Sequence, residues 1–137
     1  MKIHQKILGK NINDVEVIQL LESFKGEVSK RENNMNTMFD YQLLYKEEGV
    51  LLTIQKEEVI TVKVFFASSP IAKPFRNSFA FGLSYISSEN DIKKQFNFPK
   101  NLNQEPMRAD NIYQYENCTV AFDAMTGEIN YAELSKI

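Results

Sequence analysis

A chain of 137 residues, 43% hydrophobic and 25% charged, is long enough for one compact domain or two half-domains sharing a core. Its net charge of -2 offers no basic face for nucleic acid, and its single cysteine, Cys118, excludes an internal disulfide and a thiolate zinc site. No apolar run reaches transmembrane length and Met1 to Ile7 lacks a signal-peptide core, so no membrane association is expected and cytoplasmic residence is the default.

Taken in chain order, the first clear signal is a helix. Asn13 or Asp14 can cap it, Glu16 suits the positive end of its dipole, and Val17, Ile18, Leu20, Leu21 and Phe24 fall on one broad apolar face. Gly26 stands just past its end. The polar run from Lys30 to Asn36 reads as a loop. Three strand-like runs follow, at residues 39–46, 49–55 and 58–66, with connections so brief that an antiparallel meander is required. In the last run Val59, Thr61, Lys63 and Phe65 alternate with Ile60, Val62, Val64 and Phe66, and the first set suits a partly solvated face.

Residues 67–80 carry Pro70, Pro74 and three serines, the composition of a linker. Phe65, Phe66, Phe75, Phe79, Phe81 and Tyr85 gather around it and are expected to seal a seam, some of them also able to meet a partner. A second helix is capped by Ser87 or Ser88, turns Ile92, Gln95 and Phe96 inward, and stops at Pro99. After the polar run from Lys100 to Asp110 come strand-like runs at 111–115, 118–122 and 128–134. The turn Asp123-Ala124-Met125-Thr126-Gly127 supplies the glycine that a hairpin loop needs.

The two halves therefore read as one pattern twice, a helix then three strands, with boundaries at 1–66, 67–80 and 81–137. The expected fold class is α+β: two αβββ repeats in one antiparallel sheet with both helices on one face. The other face is then a broad exposed surface, and the sheet edges leave homodimerisation open.

Little in the chain points to catalysis. His4, the only histidine, reads as a solvated residue at the terminus, and neither a triad nor a metal site can be built on it alone. Cys118 reads as a buried structural thiol. The acid pairs Glu47-Glu48 and Glu57-Glu58 lie in hairpin turns, where acids serve solubility, and no glycine-rich phosphate loop is present. No enzyme activity, cofactor or metal is expected.

Several segments resemble a bacterial family that opens "LLGK, then DxEVxxLL". Leu8-Gly9-Lys10, Asp14-Val15-Glu16-Val17 and Leu20-Leu21 match the opening, and Gly49-Val50-Leu51-Leu52 and Val59 to Phe65 match its strands. Pro70 to Pro74 matches its linker, Phe79-Ala80-Phe81-Gly82-Leu83 matches its "PFGL" restart without the proline, and Tyr113 to Leu134 matches its close. The family is similar to the tandem-repeat, β-lactamase-inhibitor-protein-like fold. The resemblance implies a cytoplasmic immunity protein of a polymorphic toxin system, which binds and neutralises a cognate toxin, in many cases a nuclease. On that reading Glu47, Glu48, Glu57, Glu58, Asp110 and Glu116 would complement a basic cleft, with Tyr113, Tyr115 and Tyr131 as anchors. A small-molecule-binding module and an assembly or scaffold protein of the same fold are the alternatives.

Overall fold

Eight strands form a single antiparallel sheet in the computed structural model, which describes residues 2–33, 38–95, 101–103 and 110–136. The chain runs α1 (Ile3–Ile7), α2 (Val15–Glu22), β1 (Val28–Glu32), β2 (Tyr41–Tyr45), β3 (Val50–Gln55) and β4 (Glu58–Phe65). A single 3-10 turn (Ala80–Gly82) then leads to α3 (Glu89–Gln95), β5 (Asn101–Asn103), β6 (Asp110–Gln114), β7 (Cys118–Asp123) and β8 (Ile129–Ser135). The sheet order is β1-β2-β3-β4-β8-β7-β6-β5, so two meanders join through their last strands.

Strand period sends alternate residues to opposite faces, and one face carries the core. Val50, Leu52, Val62, Val64, Val120 and Ala132 on that face are fully buried. Ile3 and Ile7 of α1, Val17 of α2, Ile92 of α3, and Phe75 and Phe79 of the connecting segment pack into the same cluster, so α1, α2 and α3 all lie on this side. Each such valine, leucine or isoleucine contributes about 1.5–3 kcal/mol by leaving water.

The inner hairpin of each half is built alike. Ile54 pairs with Val59 while Thr53 pairs with Thr61, which leaves Ile60 as a bulge. Phe122 pairs with Ile129 while Ala121 pairs with Tyr131, which leaves Asn130 as a bulge. The burial sequences of β3 and β7 are identical. Ahead of α2, Asn11 bridges Glu58; ahead of α3, Ser88 bridges Glu128. The β4 bulge also explains why Val59, placed by simple alternation on the solvated face, is buried instead.

Four strands per half replace the expected three. β1 occupies the start of the run read as a loop, and all five of its residues are exposed. It is held by backbone pairing to β2 rather than by an apolar face, so it leaves no period-2 signature. β5 lies likewise inside the second polar run. α1 was also unexpected, although Ile3 and Ile7 stand one turn apart and are both buried. In α2 the buried stripe is narrower than expected, because Ile18 points off the Val17–Leu21–Phe24 line and is 38% exposed. The α3 cap is a reciprocal pair: the Asp91 backbone N–H donates to Ser88 Oγ at 3.3 Å, and the Ser88 N–H donates to Asp91 Oδ2 at 2.9 Å. The expectations at Asn34–Thr37, Phe96, Pro99 and residues 104–109, and for the side chain of Gln95, fall outside the described residues.

The β3–β4 turn puts Lys56 and Glu57 at φ of +50° and +63°, the mirror-image geometry that a two-residue hairpin prefers but that β-carbons resist. Replacing the pair by Asn-Gly is expected to raise stability by about 1 kcal/mol. Urea denaturation should register this as a higher midpoint at unchanged slope.

Residues 67–79 are tied down along their length. Lys73 N–H donates to the Lys46 carbonyl at 2.9 Å and Phe75 N–H to the Phe65 carbonyl at 2.6 Å. Phe66, Phe75 and Phe79 stack edge to face with centroids 6.1 and 6.4 Å apart, and His4 caps the row at 5.3 Å. The seam expected of these aromatics is formed by these three, whereas Phe81 and Tyr85 are exposed.

Candidate functional site

The second face of the sheet has no helix on it among the described residues. Its middle is the seam between β4 and β8, where Thr61 pairs with Ser135, Lys63 with Glu133, and Phe65 with Tyr131. Leu44 and Leu51 extend the Lys63 row on one side, and Ala121 and Ile112 extend the Tyr131 row on the other. Lys63 Nζ lies 4.0 Å from the Tyr131 ring centroid and 5.1 Å from that of Phe65. Its aliphatic stem then lies along apolar surface and its charge sits on the rings' negative faces, a contact worth about 0.5–1 kcal/mol where water has access.

Two polar groups beside this cluster lack partners among the described residues. Glu133 accepts no hydrogen bond and has no ion pair within range; burial pushes its carboxyl up, and the charge of Lys63 only partly offsets that. The Thr61 hydroxyl is buried with no hydrogen-bond partner. Neighbouring Thr53, by contrast, receives a hydrogen bond from Gln42 Nε2 at 3.1 Å.

Of the tyrosines expected as anchors, Tyr131 alone stands on this face. Tyr113 is a correction: it is 1% exposed and points into the core. Its hydroxyl donates to Glu89 Oε2 at 2.7 Å, its ring meets Phe122 edge on, and burial raises its pKa. Tyr115, two residues on and therefore facing the same way, packs half-buried against that core.

The acidic candidates do not form one patch. Glu47 and Glu48 sit at one end of β3 and Glu57 and Glu58 at the other, separated by roughly 20 Å of strand. Asp110 lies at the Glu47 end, and Glu116 follows β6 at the Glu57 end. Most are engaged within the chain: Glu47 pairs with Lys73, Glu58 with Lys136 at 2.7 Å, and Glu48 accepts the Lys25 N–H at 2.9 Å. Glu57 accepts from Asn13 Nδ2 at 3.3 Å, Asp110 accepts from Asn130 Nδ2, and Glu116 is exposed. The residues that sequence reasoning passed over are Lys63 and Glu133, while Phe65 was expected only among the aromatics around the connecting segment. Alternation along β4 had placed Lys63 and Phe65 on a partly solvated face, but nothing in the sequence paired that strand with β8.

Cys118 is 2% exposed, and burial, with the charge of Glu133 adding to it, pushes its thiol up to about 12, which leaves no thiolate for nucleophilic work at neutral pH. No group of three or more His, Cys, Asp or Glu among the described residues lies close enough to hold a metal ion. No helix among them is long and apolar enough to cross a membrane. A shallow cleft lined by Phe81, Leu83, Ile86, Asp91 and Lys94 opens beside α3, and another lies between α1 and α2.

His4 corrects the expectation of a solvated terminal residue. It belongs to α1, stacks on Phe79, and its Nδ1 is buried with no partner in the described structure. Burial first, and Lys2 second, hold its pKa below the ordinary 6.5. The unfolded chain therefore takes up this proton first as pH falls. Stability from neutral His4 is complete above about pH 6.5 and is lost as pH drops through that value toward the folded pKa. His4→Phe keeps the ring contact and should lose that component of the slope between about pH 7 and pH 5, measured as the difference in unfolding free energy from wild type.

No protein-family model, curated protein or solved structure matches this chain.

Proposed function

We propose that this chain is a non-enzymatic protein-binding module that engages its partner through the uncovered sheet face. The observation that carries the reading is that face itself: an eight-stranded sheet with α1, α2 and α3 on one side and, at the centre of the other, where no helix lies among the described residues, a Lys63–Phe65–Tyr131 cluster. Aromatic residues around a desolvated centre, ringed by neutral polar side chains such as Gln42, Thr53 and Thr119, have the composition of a binding hot spot. The cytoplasmic immunity protein is the concrete form of this function, and it rests on the resemblance in the sequence motifs. Neutralisation would be stoichiometric, with the face and the acidic hairpins at its two ends covering a toxin's active cleft.

The matched bulges, burial patterns and strand bridges support a tandem origin, two copies of one helix-and-meander unit joined by their last strands. A repeated scaffold leaves the loops and the uncovered face free to diverge, as a specific binder requires.

Affinity capture from the native cell lysate tests this. A stoichiometric protein partner should be retained by the wild-type chain and lost from Tyr131→Ala/Lys63→Ala, with binding weakened at least tenfold, as removal of a central anchor implies. Retention by that variant together with loss on changing the cleft residues Phe81 and Ile86 would move the site off the face.

A further inference from the structure

We infer that the uncovered face also docks a second copy of this chain, each Lys63 pairing with Glu133 of the other copy. The face is self-complementary about one line, which runs along the strands between β4 and β8. Turning a second sheet by half a revolution about that line and laying it face to face sets β4 of each copy over β8 of the other. Lys63 then meets the second Glu133, Phe65 meets the second Tyr131, and Thr61 meets the second Ser135, because these are the three cross-strand pairs that straddle the line. Each swap brings together groups that suit one another: opposite charges, two aromatic rings, two hydroxyls.

The same operation supplies what the single chain lacks. Among the described residues Glu133 has no hydrogen-bond donor and no ion pair, while Lys63 spends its charge on two rings. In the pair, Glu133 gains an ammonium. A rotation about the perpendicular in-plane direction would instead set Lys63 over Lys63 and Glu133 over Glu133, so the charges select one arrangement. Two sheets pack face to face with their strands nearly aligned, and contacts next to the axis survive the twist between them. The interface is isologous and closes as a dimer, with nothing left over to grow a fibre.

The consequence is a self-occluded face. The second copy and the proposed protein partner compete for one surface, so partner binding proceeds from the dissociated chain. The dimer does not depend on the partner reading: a monomeric chain that still captures its partner would remove the dimer alone, and a dimer that captures nothing would remove the partner alone.

Sedimentation equilibrium over micromolar to millimolar concentration tests the pairing. Wild type should reach twice the monomer mass. Lys63→Glu alone and Glu133→Lys alone should each stay monomeric while keeping the native circular dichroism spectrum. Mixed together, they should form a 1:1 heterodimer, because one face is then wholly acidic at its centre and the other wholly basic. Wild type that stays monomeric throughout, single variants that dimerise unimpaired, or a mixture that stays monomeric would each overturn the inference. Should either variant fail to fold, carbodiimide cross-linking of mixed 14N- and 15N-labelled wild type decides. A Lys63–Glu133 cross-link of mixed isotope composition supports the dimer, and its absence overturns it.

Discussion

Phe79→Ala is expected to lower the unfolding free energy by about 3–5 kcal/mol, the cost of removing a fully buried aromatic ring whose site cannot collapse. Phe79 is 0% exposed and joins three parts of the chain. Its ring meets His4 of α1 on one side and Phe75 on the other, and its carbonyl receives Lys2 Nζ at 3.1 Å. The cavity would therefore open between α1, the connecting segment and the sheet, with no single element free to fill it. Denaturant titration should give a lower midpoint. Proteolysis should cut first within residues 67–79, since their anchorage depends on the same aromatic row. A loss below about 1 kcal/mol would mean that the row is not part of the core.

Gly49→Ala is the second large effect. Gly49 has φ of +70°, where a β-carbon costs about 1–2 kcal/mol. That β-carbon would also meet backbone: the Lys73 carbonyl oxygen, the Phe75 nitrogen at 2.7 Å and the Pro74 carbonyl carbon at 3.1 Å. These atoms belong to the strap fixed by the bonds from Lys73 to Lys46 and from Phe75 to Phe65, so relief requires shifting it, at a further cost of about 1–3 kcal/mol. Gly127→Ala is the control. Its φ is +76° but nothing lies within 4 Å of the added carbon, so only the conformational cost applies. Comparable losses at the two positions would show that the strap does not press on the β2–β3 turn.

The parts of the fold that were legible in the sequence are those written in apolar periodicity. β3, β4, β7 and β8 alternate or run apolar because they lie at the middle of the sheet, and α2 carries a stripe. β1 and β5 were not legible, because an edge strand is held by backbone bonds and β1 shows only Val28 and polar or charged residues to water. Tyr113 illustrates a different limit. Its alternation with polar neighbours is the same whether the ring faces water or the core, and Glu89, far away in the chain, supplies the acceptor that lets a tyrosine hydroxyl be buried. The candidate site was least legible of all. Lys63 and Glu133 are ordinary strand residues until the β4–β8 pairing sets them side by side, and that pairing is a long-range choice that no local pattern encodes.

Hydroxyl-radical footprinting of the chain, alone and with its captured partner, tests most directly whether the uncovered face is where recognition occurs. At a concentration where the free chain is monomeric, Tyr131 and Leu51 should lose reactivity on complex formation, while Tyr85 and Met125, 67% and 95% exposed, should react unchanged. Protection of Tyr85 and Met125 with Tyr131 still fully reactive would contradict the proposed site.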